Sequence, residues 1–230
     1  MTRPLRIQYP GAWYHVMNRG ASHRNIFLSD KQRIEFLSLL EEITLTYDVE
    51  IHAYCLMGNH YHLLLHTPRG NLSEAMRHLN SKYTRFFNKH KKRDGSLFRG
   101  RYKSIIISGE NYLLAVSRYI HLNPLQANLV DDLNKYPWSS YPAYIDMTTP
   151  PDWLKMNTVL RRFKRKQKKP LSYEDFVKLD NDEKTTAFYN TTNIAPVLGN
   201  KDYCNKVFEQ LKKQSERLAC QAKLIPLNSF

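Results

Sequence analysis

Cysteine is scarce: Cys55, Cys204 and Cys220 are an odd, scattered set, too few for a disulfide framework. None belongs to a CxxC pair, which excludes a zinc knuckle and leaves reduced thiols. No stretch of about eighteen apolar residues occurs, so no membrane-spanning helix and no membrane partner are expected. The opening MTRPLRIQYPGAWYH lacks the apolar core of a secretory signal, and the expected location is cytoplasmic. Acidic residues are the other shortage. Against 35 Lys and Arg stand 21 Asp and Glu, a formal net charge of +14. Residues 1–145 carry 19 basic against 11 acidic side chains, and the remainder 16 against 10. A basic excess shared by both parts suits a long polyanion better than one small acidic substrate.

What is present can build a core. Hydrophobic residues make up 42% of the 230 and aromatics 12%, which excludes wholesale disorder. That length holds one packed domain with an extension, or two small domains. AWYHVMN (12–18) reads as a strand closed by an NRG turn. From Asp30, a candidate cap, to Tyr47 the period turns helical, with Phe36, Leu40, Ile43 and Tyr47 on one face. Residues 49–57 and 60–67 read as strands around a Gly58-Asn59 turn. A long amphipathic helix follows from Leu72 to Lys89, with a stripe of Leu72, Met76, Leu79, Tyr83 and Phe86. FRGRYKSIII predicts a fourth strand, and residues 110–122 a third helix ended by Pro124. The order β-α-β-β-α-β predicts an α+β protein with the ferredoxin-like split βαβ arrangement, an antiparallel sheet with helices on one face.

This domain is expected to occupy residues 1–145, closing after YPWSSYPAY. Residues 146–230 read as a linker, DMTTPPD, and a small, basic, mostly helical extension. Seven of the nine residues in RRFKRKQKK (161–169) are basic. SYEDFVKL and KDYCNKVFEQLKKQSERL suggest short helices.

Two features can carry chemistry. His60 and His62 are two apart on a strand, so both imidazoles project from one face, a ready bidentate metal site. A solvated or nucleic-acid-facing pair without metal is the alternative. In ENYLLAVSRYIHLNP, Tyr119 and Asn123 are four apart and stack on one helical face, with Tyr112 two turns earlier. A phenol with its ordinary pKa of about 10 is a poor nucleophile unless its surroundings favour the phenolate, as a nearby divalent cation does.

Together these residues resemble the HUH single-tyrosine (IS200-like) transposases, and more narrowly the REP-associated tyrosine transposases. The match rests on NRG at 18–20 with Ile26-Phe27, GNHYHLLL at 58–65, FRGRYKS at 98–104, YIHLNP at 119–124 and WSSY at 138–141. It spans roughly residues 5–145. The resemblance implies a single-stranded DNA endonuclease and strand transferase acting through a 5′-phosphotyrosine, with His60, His62 and Asn123 as ligands of Mg²⁺ or Mn²⁺. It implies Tyr119 as the nucleophile, single-stranded or hairpin DNA as the substrate, and either a monomer or a homodimer. Tyr61 stands where an aliphatic residue is common.

Arg99, Arg101 and Lys103 alternate along the predicted fourth strand; Arg19 and Arg24 sit in a loop; Lys82 and Arg85 lie on the long helix. Each is a candidate phosphate contact and equally a candidate surface charge. Two other readings stay open: a non-catalytic nucleic-acid-binding module on the same scaffold, and a hydrolase in which Glu110 assists a metal-activated water.

Overall fold

The computed structural model describes residues 6–108, 112–166, 171–179, 183–189, 191, 195–210 and 212. Strand β1 (Ala12–Arg19) runs through the middle of the sheet, antiparallel to β3 (His60–Thr67) on one side and β4 (Lys103–Ile107) on the other. Beyond β3 lies β2 (Glu50–Leu56), and beyond β4 the two-residue β5 (Val197–Leu198), giving the order β2-β3-β1-β4-β5. The first four strands have the ferredoxin-like arrangement. β5 comes from the C-terminal part of the chain and pairs in parallel with β4, which makes the sheet mixed.

Alternation along the strands decides which residues face which layer. In β3, Tyr61, Leu63 and Leu65 pack into one apolar layer, and Leu64 into the other. Helix α1 (Asp30–Tyr47) contributes Phe36, Leu40 and Ile43 to the first layer. Helix α2 (Leu72–His90) adds Leu72, Met76, Leu79 and Tyr83. The opposite face is not left to solvent. Helix α3 (Leu113–Gln126) lays Leu113, Val116 and Ile120 on it, against Ala53, Cys55, Ile105 and Ile107. With its strands buried on both faces, the sheet is a three-layer core.

Several local expectations shift. Ser29, not Asp30, is the N-cap of α1, and its side chain makes no capping bond. The predicted fourth strand pairs only from Lys103. Residues before it turn through Gly100 at φ 73, a left-handed conformation that breaks strand geometry. The third helix does not end before Pro124. It runs to Gln126, and closes with Ala127 N–H donating to the Asn123 carbonyl.

After α3 the chain returns to the edge of β2. Ser140 Oγ accepts from Tyr54 N–H at 2.9 Å, and Tyr136 donates to the Leu56 carbonyl. The short helix α4 (Tyr141–Tyr144) follows. Further on, Lys155 N–H donates to the Ile51 carbonyl at 2.8 Å. Helices α5 (Asn157–Lys166), α6 (Tyr173–Lys178) and α7 (Glu183–Tyr189) then pack over α3, burying Val159, Phe163, Tyr173, Val177 and Tyr189. The basic run from Arg161 to Lys166 is thus the outer part of an amphipathic helix, with residues 167–169 outside the described set. No described helix is long and apolar enough to cross a membrane.

Candidate active site

His60 and His62 sit side by side at the start of β3, ring centroids 4.9 Å apart. The antiparallel register sets Arg19 opposite His60 and Met17 opposite His62. Helix α3 crosses above and brings the Tyr119 ring edge-on to His62, centroid to centroid 6.0 Å. Asn123, one turn on, uses its side-chain N–H to donate to the Tyr119 carbonyl at 2.8 Å, which leaves the amide oxygen for another partner. All four line one cleft of about 610 Å³, together with Arg19, Arg99, Arg101, Lys103, His23 and Asn59. No carboxylate lines it among the described residues, and Glu110 lies outside them.

The imidazoles are arranged as metal ligands usually are, with one nitrogen tied back and the other bare. His60 Nδ1 lies 2.6 Å from the Asn59 side-chain oxygen, so Nδ1 carries the proton and donates, and Nε2 keeps its lone pair. His62 Nδ1 lies 2.9 Å from His15 Nε2, and His15 Nδ1 lies 2.6 Å from the Tyr189 hydroxyl. His62 Nε2 is buried and has no partner among the described residues. If that nitrogen bore the proton, a buried donor would be stranded at a cost of ~1–3 kcal/mol. The chain therefore runs the other way: His62 Nδ1–H donates to His15, and His15 Nδ1–H donates to Tyr189. Burial lowers the His60 pKa to about 4, with Arg19 adding to the effect. Burial also pushes His62 far down, assisted by His15 and His60, and His15 to about 3. All three rings are neutral at pH 7. Two neutral imidazoles with bare nitrogens beside an amide oxygen fit a divalent metal ion.

Burial raises the Tyr119 pKa, so the phenol is protonated without a cation beside it. Its ring lies flat on Tyr189, centroids 4.0 Å apart and 14° from parallel. The nucleophile candidate is thus positioned by the C-terminal part of the chain.

Of the expected phosphate contacts, Arg19, Arg99, Arg101 and Lys103 converge on the cleft, and none is in an ion pair among the described residues. Gly20, next to Arg19, has no room for a side chain, because a Cβ there would meet the Arg24 carbonyl oxygen at 2.0 Å. Arg24, Lys82 and Arg85 do not join them. Arg24 bonds the Ala21 carbonyl at the surface, Lys82 pairs with Glu42 of α1, and Arg85 is exposed on α2 across the sheet. Sequence reading missed His15 and Tyr189. His15 shares a strand face with Met17 by simple alternation, but its pairing with His62 depends on strand register, and Tyr189 comes from 174 residues away.

A ferredoxin-like sheet with a histidine pair on an inner strand, beneath a tyrosine from a covering helix, defines a class of protein. The chain belongs to the transposase family described as "Transposase IS200 like", whose pattern matches residues 8–123. A REP-associated tyrosine transposase of Haemophilus influenzae is 26% identical over 131 residues, 52% of this chain and 74% of that one. A solved REP-associated tyrosine transposase bound to a REP hairpin superposes with a TM-score of 0.53 at 18% identity, covering 67% of this chain and 92% of that one. That likeness speaks for the fold.

Proposed function

We propose that this chain is a metal-dependent single-stranded DNA endonuclease and strand transferase in which Tyr119 is the nucleophile. One observation carries the reading. Tyr119, the histidine pair and four cations that form no ion pair among the described residues line the same cleft.

The phosphodiester is held by Arg19, Arg99, Arg101 and Lys103, whose charge complements its own. Tyr119 loses its proton, and the phenolic oxygen forms a bond to phosphorus. The bond to the 3′ oxygen breaks, that oxygen takes up a proton, and a 5′-phosphotyrosine and a free 3′-hydroxyl result. Attack by a 3′-hydroxyl reverses the step and frees Tyr119, so the phosphodiester energy is kept and no nucleotide cofactor is needed. His60, His62 and the Asn123 amide oxygen would hold the ion, Mg²⁺ or Mn²⁺, which when bound supplies positive charge to the phosphate and favours the phenolate. His15 acts as a positioning residue, because it fixes the tautomer of His62.

A second groove of about 620 Å³, bounded by α2 and residues 96–102, carries Arg6 and Arg77 and shares Arg101 with the cleft. It offers a path for the flanking strand or the stem of a hairpin. Incubation with labelled hairpin single strands and Mn²⁺, followed by a denaturing gel, tests the reading. A covalent protein–DNA band is expected. Binding without any adduct would instead leave a non-catalytic DNA-binding module.

Substrate form makes a separate prediction. A hairpin with single-stranded flanks should bind more tightly than perfect duplex of equal length. With four phosphate contacts and a slope of about −0.7 per contact, affinity should fall roughly 50-fold between 50 and 200 mM salt. Filter binding across that range checks it, and a preference for duplex at every salt concentration refutes it.

His15→Leu should raise the Mn²⁺ concentration needed for half-maximal adduct by roughly 10–100-fold, with activity returning at high Mn²⁺. A metal titration identical to that of the unsubstituted chain would deny His15 its positioning role.

A further inference from the structure

Four residues beyond His62 along β3, and on the same face, stands His66. Its register partner on β2 is Glu50, and Nδ1 of His66 lies 2.7 Å from Glu50 Oε2. His52 joins them. The pairing of β2 with β3 slips between Ile51 and Ala53, and this bulge turns His52 toward the same carboxylate, with Nε2 3.4 Å from Glu50 Oε2. One ligand atom from each of the three residues lies within 4.8 Å of the others.

The tautomer of His52 separates this group from an ordinary surface ion pair. Nδ1 lies 2.6 Å from the Lys155 carbonyl oxygen, which can only accept, so Nδ1 carries the proton. In the singly protonated ring Nε2 then presents a lone pair to a carboxylate oxygen 3.4 Å away, two acceptors facing each other. The ring is only 1% exposed, and Nε2 makes no hydrogen bond among the described residues. Either a second proton on His52, giving an imidazolium–carboxylate pair, or a metal ion held between the two groups relieves that contact. The backbone carbonyl behind the ring is the outer contact that metal-binding histidines commonly make. Trp13 stacks on His66 with centroids 4.6 Å apart and packs on His52 at 4.5 Å, fixing both rings.

The geometry points to a second metal site, formed by Glu50, His52 and His66, that takes Zn²⁺ or a similar borderline transition metal. Two imidazoles and one carboxylate suit that class better than Mg²⁺ or Ca²⁺, which prefer all-oxygen shells. Tetrahedral ligands about 2.1 Å from zinc stand about 3.4 Å apart, so the His52–Glu50 spacing already matches and the His66 contact must open slightly. At about 3.4 Å per residue, His66 is roughly 14 Å along the strand from His62, so one ion cannot serve both places. The site lies where the segment after α4 crosses β2, since Lys155 also donates its N–H to Ile51. A bound ion would tie that segment to the sheet edge.

The full chain carrying His60→Ala and His62→Ala, stripped with EDTA and dialysed, isolates this site from the cleft. Calorimetric titration with Zn²⁺ should give one equivalent per chain, and Co²⁺ in its place should give the visible d–d absorption of a tetrahedral site. Adding His66→Gln should weaken Zn²⁺ binding at least 100-fold. Glu50→Gln, at a half-exposed position that the fold tolerates, should do the same with an unchanged circular dichroism spectrum. Absence of a Zn²⁺ equivalent in the starting variant, or unchanged affinity in both further variants, overturns the inference. Failure of DNA cleavage in the unsubstituted chain would bear on the cleft alone.

Discussion

Tyr119→Phe should reduce covalent adduct formation by roughly three or more orders of magnitude, as loss of a nucleophile does in other enzymes, while DNA binding stays within about twofold. The substitution is clean because the Tyr119 hydroxyl makes no hydrogen bond among the described residues, whereas its ring carries the packing. The stacking on Tyr189 and the edge contacts with His15 and His62 survive in phenylalanine. Two other tyrosines compete for the role. Tyr112 lies two turns earlier, at the N-cap of α3, and does not line the cleft. Tyr189 is close, but it is only 9% exposed and its hydroxyl is engaged by His15. Mass spectrometry of the digested adduct should place DNA on Tyr119 in the unsubstituted chain. An adduct that persists in Tyr119→Phe and maps to Tyr112 or Tyr189 would defeat the assignment.

The parts of this site that come from one strand or one helix are legible in the sequence. His60 and His62 follow from a period of two, Tyr119 and Asn123 from a spacing of four, and α1 and β3 begin and end where their patterns do. Pro124 misleads because a proline in the last turn deprives the helix of one N–H without stopping it. The loop through Arg99 and Arg101 reads as strand because its residue types are strand-like, while Gly100 turns the backbone; the two arginines reach the cleft all the same. What a linear reading cannot supply is register and long-range return. His15 pairs with His62 only once β1 and β3 are aligned, Tyr189 arrives from α7, and His52 meets His66 only through a bulge. Arg24, Lys82 and Arg85 have the charge of phosphate contacts, but their elements carry them away from the cleft.

His60→Ala and His62→Ala should each abolish cleavage at ordinary Mn²⁺ concentrations, and the double variant should be no worse than either alone, because ligands of one ion act as a unit. Binding should persist in all three, since the cations proposed to hold phosphate are separate side chains. The two single variants should differ in stability. His60 is partly buried at the start of β3 and its ring bonds only the Asn59 side chain among the described residues, so its removal should cost less stability than that of His62. His62 is 5% exposed and is the partner of His15 Nε2, so its removal strands a fully buried nitrogen and should cost ~1–3 kcal/mol. His60→Ala is therefore the decisive variant: a folded, DNA-binding protein that forms no adduct. Thermal melts, filter binding and denaturing gels on the same preparations separate the three effects. Cleavage at the unsubstituted rate by His60→Ala, or by the unsubstituted chain in excess EDTA, would rule out a metal held by the histidine pair.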